Sequence, residues 1–296
     1  MDWSKSKSIF IVVFLILDVF LYSLYLNRHT EAQQVPILGE KNIEARLKDD
    51  NITYGALPTN TEKASYISGR VKNFEEEKVQ LQNVQTATIE NNNKLIVQLR
   101  EPVKIPGTLE EANFSEFLKQ YVYNGANYSL WMVDEENRRA TFFQSVNNRT
   151  IYYNINGVLT IYWNEDNEIV MYEQTILEKI EEYEEEETLL TPIQVIQALY
   201  AKGMLKPDSR ITNMKLGYST LVQLTKTQVF VPTWEVQVNT ADDDTEEYFV
   251  NAVEGKVIDV QIDSSKVEEV ENDVEEALES EEVKEAKETN KEVDTE

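Results

Sequence analysis

Residues 156–177 read NGVLTIYWNEDNEIVMYEQTIL, and their pattern decides the fold. Residues 157–163 (GVLTIYW) and 168–177 (EIVMYEQTIL) carry β-branched and aromatic residues in alternation, the period of a half-buried strand. The four residues between them, Asn164–Asn167, are turn formers. The stretch predicts an antiparallel hairpin, with NEDN read as a turn before it is read as a site.

The pattern repeats on both sides. VQTATIE (84–90), NNN and KLIVQLR (94–100) predict a hairpin, as do YSLWMV (128–133), DEEN and RRATFFQSV (138–146). Between these, FSEFLKQYVY (114–123) has helical spacing. Upstream, residues 42–49 carry Ile43 and Leu47 at i,i+4, a short amphipathic helix signal, and 52–74 read as short extended pieces. Downstream, the charge run EEYEEEE (181–187) predicts a solvated helix end or linker and a domain boundary. In LLTPIQVIQALYAKG, Thr191 suits an N-cap, Pro192 the first helical position and Gly203 the C-terminal stop, with Ile193, Ile196 and Tyr200 on one face. Strand patterns resume in MKLGYSTLVQL, QVFVPTWEVQVN, EEYFVNA and KVIDVQI, with a tight turn at Glu254-Gly255 between the last two. The fold class expected is α+β: two successive units with antiparallel sheets, 41–180 and 188–262.

Residues 9–26, IFIVVFLILDVFLYSLYL, are of another kind. Eighteen residues span about 27 Å as a helix, close to a hydrocarbon core of roughly 30 Å. The one charge within is Asp18, which costs about 2.5–3.5 kcal/mol on insertion scales, against roughly 0.3–0.6 kcal/mol returned by each Leu, Ile, Phe or Val. Insertion wins. A cleaved signal peptide is the alternative, but the apolar run is long and LYLNRHTEA offers no small-x-small cleavage site. Lys5 and Lys7 precede the run and Arg28 follows it, so residues 1–8 are expected in the cytoplasm and everything beyond the anchor outside the cell membrane. Residues 27–40 read as a juxtamembrane linker.

The chain has 296 residues, 54 acids, 28 bases and a formal charge of −26. Such a field repels phosphate backbones and argues against a nucleic-acid partner. The absence of cysteine excludes disulfides, thiolate zinc sites and cysteine nucleophiles. Residues 263–296 hold 15 acids and 4 bases and no aromatic residue, which predicts an acidic disordered tail.

Catalytic chemistry has little to draw on. The single histidine, His29, lies beside the expected anchor, and no G-x-S-x-G, P-loop or H-E-x-x-H occurs. Asp242, Asp243 and Asp244 with Glu246 and Glu247 suggest Ca²⁺, but the glycine and terminal glutamate of an EF-hand loop are missing, and a polar hairpin loop is expected. No catalytic, cofactor or metal residue is assigned. Asp18 differs, since ionisable residues at mid-bilayer usually face protein. Asp18, Tyr22 and Tyr25 fall at i, i+4 and i+7 on one helix face and are the candidate intramembrane contacts to a partner; a charge merely tolerated by snorkelling is the alternative.

Three segments carry a resemblance: MDWSKSKSIFIVVFLILDVFL at the start, NGVLTIYWNEDNEIVMYEQTIL, and VPTWEVQVNTADDDTEEYFVNAVEGKVIDV near the end. Together they resemble the YycI (WalI) family of Gram-positive bacteria, from Met1 to about Val260. The resemblance implies a non-enzymatic, membrane-anchored regulator of the WalK (YycG) sensor histidine kinase, which controls cell-wall metabolism with WalR. It implies a second anchored partner, YycH, α+β exported domains similar to those of YycH, and kinase contacts carried by transmembrane helices. The segment WEVQV…GKVID alone resembles PepSY-type and YpeB-like exported domains. The second reading is therefore a module restraining an exported protease or hydrolase, and the third an enzyme acting on cell-wall polymers.

Overall fold

The computed structural model describes residues 42–58, 63–76, 79–106, 113–223, 226–242 and 244–258. The expected cytoplasmic end, anchor, linker and acidic tail lie outside the described residues. In chain order the elements are α1 (Ile43–Asp49), β1 (Thr53–Tyr54), β2 (Lys63–Val71), β3 (Val84–Glu90), β4 (Lys94–Lys104), α2 (Ser115–Tyr121), β5 (Tyr128–Asp134), β6 (Arg139–Val146), β7 (Arg149–Tyr152), β8 (Val158–Trp163), β9 (Glu168–Gln174), β10 (Leu177–Thr188), α3 (Pro192–Ala201), β11 (Arg210–Gln223), β12 (Thr227–Asn239), β13 (Thr245–Asn251) and β14 (Val257–Ile258). The fold is α+β and rich in sheet. Among the described residues no helix is long and apolar enough to cross a membrane.

The β8–β9 hairpin forms as its alternation demands. Leu159, Ile161 and Trp163 point into a core, and Asn164 closes the turn by accepting hydrogen bonds from the backbone N–H of Asp166 and of Glu168, both at 3.0 Å. Asn167 takes φ 57°, a left-handed conformation that asparagine tolerates. The hairpins β3–β4 and β5–β6 are also as expected. A fourth, β6–β7, turns on Asn147 and Asn148 with φ 50° and 64°, the pair of positive values that a two-residue hairpin turn requires.

The strands run β10-β2-β12-β11-β7-β6-β8-β9-β4-β3, with β1 on β11, β13 on β12, β14 on β13 and β5 on β6. Pairing is antiparallel except for β1–β11 and β7–β11. β7 thus joins two groups of strands, since it pairs with β6 on one side and β11 on the other. Each group has its own core. Phe117 of α2 packs with Phe142, Leu159, Ile161 and Tyr172 in the first. Val195, Ile196 and Leu199 of α3 pack with Trp234, Val236 and Val250 in the second. A small third cluster, Ile67, Ile151, Leu177, Tyr218 and Phe230, sits along β2, β7, β10, β11 and β12.

Three features differ from the sequence reading. The run Glu181–Glu187 is neither a helix end nor a linker: it lies within β10, which pairs antiparallel with β2. The pairing supplies its backbone with hydrogen-bond partners while the outward edge keeps the carboxylates in water. Next, residues 63–71 form one nine-residue strand rather than short pieces. Together with Leu47 and Ile52, β2 brings residues from the early chain to the second core and the central cluster. Finally, α3 begins and ends as expected, with Gln194 Oε1 accepting from the Thr191 backbone N–H at 2.8 Å and Gly203 at φ 69°. Its buried stripe, however, is Pro192, Val195, Ile196 and Leu199, while Ile193 and Tyr200 flank the core.

Candidate interaction surfaces and the strand junction

Among the described residues, no three His, Cys, Asp or Glu side chains converge to hold a metal ion. The loop between β12 and β13 is a hairpin connection, closed by the Thr240 N–H donating to the Asp244 carbonyl at 2.8 Å. Glu246 beside it is occupied: Lys206 Nζ lies 2.5 Å from Oε1 and the Tyr248 hydroxyl 2.5 Å from Oε2. These two hydrogen bonds, the lysine's first, hold its carboxyl below the usual glutamate range. The expected intramembrane contacts Asp18, Tyr22 and Tyr25 lie outside the described residues.

Among the described residues, β10 and β5 are both edge strands. β10 pairs with β2 alone among the described residues, and Glu181, Glu182, Tyr183, Glu184, Glu185 and Glu186 are all exposed. Asn147 Nδ2 donates to Glu182 at 2.7 Å, and Lys63 stands 4.0 Å from Glu186. Like charges along an edge disfavour pairing with a second copy of the same strand. β5, which among the described residues pairs only with β6, is the apolar counterpart, with Leu130 and Met132 46% and 48% exposed.

Two buried polar contacts hold β10, one from the end of β2 and one from β6. Lys72, fully buried after β2, lies 3.1 Å from Glu178 of β10 and stands over the rings of Phe74 and Tyr123, with Nζ 5.7 and 5.2 Å from their centroids. The low dielectric strengthens this pairing and would make an uncompensated ammonium costly. Gln144 of β6 brackets the start of β10, donating to the Leu177 carbonyl at 2.7 Å and accepting from its N–H at 2.8 Å.

The closest approach is at β7. Its parallel pairing with β11 covers only Ile151 and Tyr152. The Tyr152 ring lies on Gly217, where any β-carbon would overlap it. On the adjoining strand, Glu235 of β12 pairs across from Lys215 of β11. Glu235 is 2% exposed, and its Oε1 has no hydrogen-bond partner. Burial pushes the Glu235 carboxyl above the usual glutamate range, against the opposing effects of the Tyr152 hydroxyl and the Lys215 charge. Tyr153, the next residue, takes φ 49°, a strained value for a bulky side chain. It is held there by the rings of Trp131, Phe143 and Phe249, at 5.5, 5.1 and 5.5 Å, and by its hydroxyl on Glu247 at 3.3 Å. Burial, then the Glu247 charge, push the Tyr153 hydroxyl up to about 12. Sequence reading missed this junction; the signals available were the Asn147-Asn148 turn and a glycine inside the strand pattern at 217.

Comparison with known proteins decides the family. The family model described as YycI protein matches residues 32–253, most of the chain. The chain belongs to the YycI family. YycI proteins form a regulatory rather than an enzyme family, associated with the WalK two-component system. No curated protein matches this YycI chain. Among solved structures, an uncharacterized protein from Eubacterium rectale ATCC 33656 at 1.45 Å resolution is similar at 13% identity and a TM-score of 0.44, over 72% of this chain and 92% of the other.

Proposed function

We propose that this YycI protein is a non-enzymatic, membrane-anchored regulator that modulates the WalK/WalR cell-wall system together with YycH. The observation that carries this reading is the family match over residues 32–253, which adjoins an apolar run at 9–26 long enough to cross a bilayer. In this account residues 1–8 are cytoplasmic, 9–26 span the cell membrane in contact with lipid, and the α+β region is extracytoplasmic.

In this reading a signal reaching the kinase passes through helix contacts in the membrane or through extracytoplasmic binding. Asp18, Tyr22 and Tyr25 supply the intramembrane face. Interhelical hydrogen bonds of this kind are worth only about 0.6–2 kcal/mol each, so their loss weakens association without abolishing it.

The test is a crosslinking signal between full-length membrane proteins, normalised to expression. Asp18→Leu keeps insertion and reduces association with the kinase and YycH, while Asp18→Asn is milder because an amide still bridges. Undiminished association of Asp18→Leu, with loss on deleting the exported region instead, makes the helix a tether and moves the binding surface outside. A PepSY-like module restraining a protease or hydrolase is the second reading, favoured by the sequence WEVQV at 234–238 followed by GKVID at 255–259.

A further inference from the structure

We propose that β3 is a self-complementary edge at which two copies of this chain pair antiparallel, about a two-fold axis through Ala87. β3 ends the strand order and, among the described residues, pairs with β4 alone. Exposure runs unbroken from Gln85 to Ile89, so both faces as well as the outer edge meet water. An edge of this kind presents a row of backbone N–H and C=O groups, a template for a further strand. Charge guards β10 against such pairing, and a bulge between Leu130 and Met132 bends β5 at its middle. β3 has neither device. Its one irregularity falls at the start, between Val84 and Thr86, and no charge, proline or glycine occurs from Val84 to Ile89.

Charge selects a second copy as the occupant. The register that pairs all seven residues, Val84–Glu90, sets Ala87 against Ala87, Thr86 against Thr88, Gln85 against Ile89 and Val84 against Glu90. No like charges meet. Glu90 of each copy instead arrives beside Val84 of the other, where Arg100 Nη2 donates to the Val84 carbonyl at 3.2 Å. Arg100 shares its sheet face with Gln98, the cross-strand partner of Thr86, and Glu90 alternates onto that same face through Thr88. Two symmetric Arg100–Glu90 pairs therefore close the ends of the contact. Glu90 is free to be shared, because its own partner Lys94, at 3.3 Å, also holds Glu173 at 2.9 Å. Elsewhere the formal charge of −26 works against self-association.

The opposite face supplies the apolar part. Leu95 and Val97 are buried on β4, and their cross-strand partners Ile89 and Ala87 continue that face into solvent. A second β3 extends the face and covers Ile89. A contact through one strand edge lies at the small end of specific interfaces, below about 1,200 Å², so the association is weak and reversible.

Cysteine cross-linking of the full-length protein in intact cells tests this, since the chain has no cysteine of its own. In the proposed register the two Ala87 β-carbons stand about 4.5–5.5 Å apart, and a disulfide can bridge such a pair. Under mild oxidant, Ala87→Cys is expected to give a covalent dimer several-fold more abundant than Glu184→Cys on the β10 edge. Thr86→Cys and Thr88→Cys each lie diagonal to their own copy, about 7–8 Å away. Each should cross-link poorly alone and efficiently when the two chains are produced together. Adding Thr86→Lys and Thr88→Lys to Ala87→Cys sets lysine against lysine and should lower the dimer several-fold. These side chains are exposed on an edge strand, so the fold tolerates the substitutions. The proposal is overturned if Ala87→Cys links no better than Glu184→Cys, if Thr86→Cys or Thr88→Cys alone links as well as Ala87→Cys, or if the added lysines leave the dimer unchanged.

Discussion

The ring of Tyr152 rests on the backbone of Gly217, so closely that a β-carbon on Gly217 would overlap both the ring and the Thr150 carbonyl oxygen. Gly217 has no positive φ that demands glycine. What the position requires is space. Gly217→Ala pushes against a carbonyl of β7 that cannot move without breaking the two-residue pairing of Ile151 and Tyr152 with β11. Overpacking of this kind costs about 1–3 kcal/mol. A lowered urea midpoint in the full-length protein is the expected outcome; an unchanged midpoint contradicts the close approach.

Ile151, fully buried on the same strand, packs with Ile67, Leu177, Tyr218 and Phe230. Ile151→Ala removes three carbons from a site bounded by four strands and should cost about 2–5 kcal/mol. Ile151→Val should cost about 0.5–1.5 kcal/mol. Equal effects of the two substitutions would show that the cluster does not close around this side chain.

Lys72 tests the tie between the end of β2 and β10. In Lys72→Ala both the charge and the stem over Phe74 and Tyr123 are lost, leaving Glu178 without its buried partner. Breaking a buried pair costs about 3–5 kcal/mol, and the partial exposure of Glu178 places this one towards the lower end. Lys72→Met restores the apolar stem and should recover part of the loss. Denaturation midpoints that rank Met at or below Ala would show that the stem adds nothing.

The hairpins β3–β4, β5–β6 and β8–β9 were legible in the sequence because alternation and asparagine-rich turns act locally. β10 was not. Nothing in EEYEEEE favours a strand; the strand exists because β2 lies beside it, a partner more than 100 residues away in sequence. The four residues of β7 are too few to show a period, although Asn147-Asn148 marked the turn before them. Glu235 sits in a run, QVFVPTWEVQVN, whose alternation alone places one glutamate among apolar neighbours without saying which face is buried. Its burial is set by packing between strands distant in sequence, a long-range event. The candidate intramembrane face, Asp18 with Tyr22 and Tyr25, was read from helical spacing alone.

Glu246 gives stability a pH dependence. Its carboxyl is held below the usual range by Lys206 and Tyr248. The stability it contributes is fully present above the ordinary glutamate value of about 4.3 and is lost as pH falls through the lower, folded value. Glu246→Gln should therefore be destabilised relative to wild type near neutrality and converge with it in acid. Thermal melts at a series of pH values measure this, and a gap that widens on acidification would falsify the assignment.

The central claim is that this YycI protein regulates a sensor histidine kinase from within the membrane, and co-purification of the full-length protein from solubilised membranes tests it most directly. The account predicts recovery of the WalK histidine kinase with YycH, in a yield that Asp18→Leu lowers. Recovery of an exported protease or hydrolase, with the kinase absent from preparations in which it is demonstrably expressed, would contradict it.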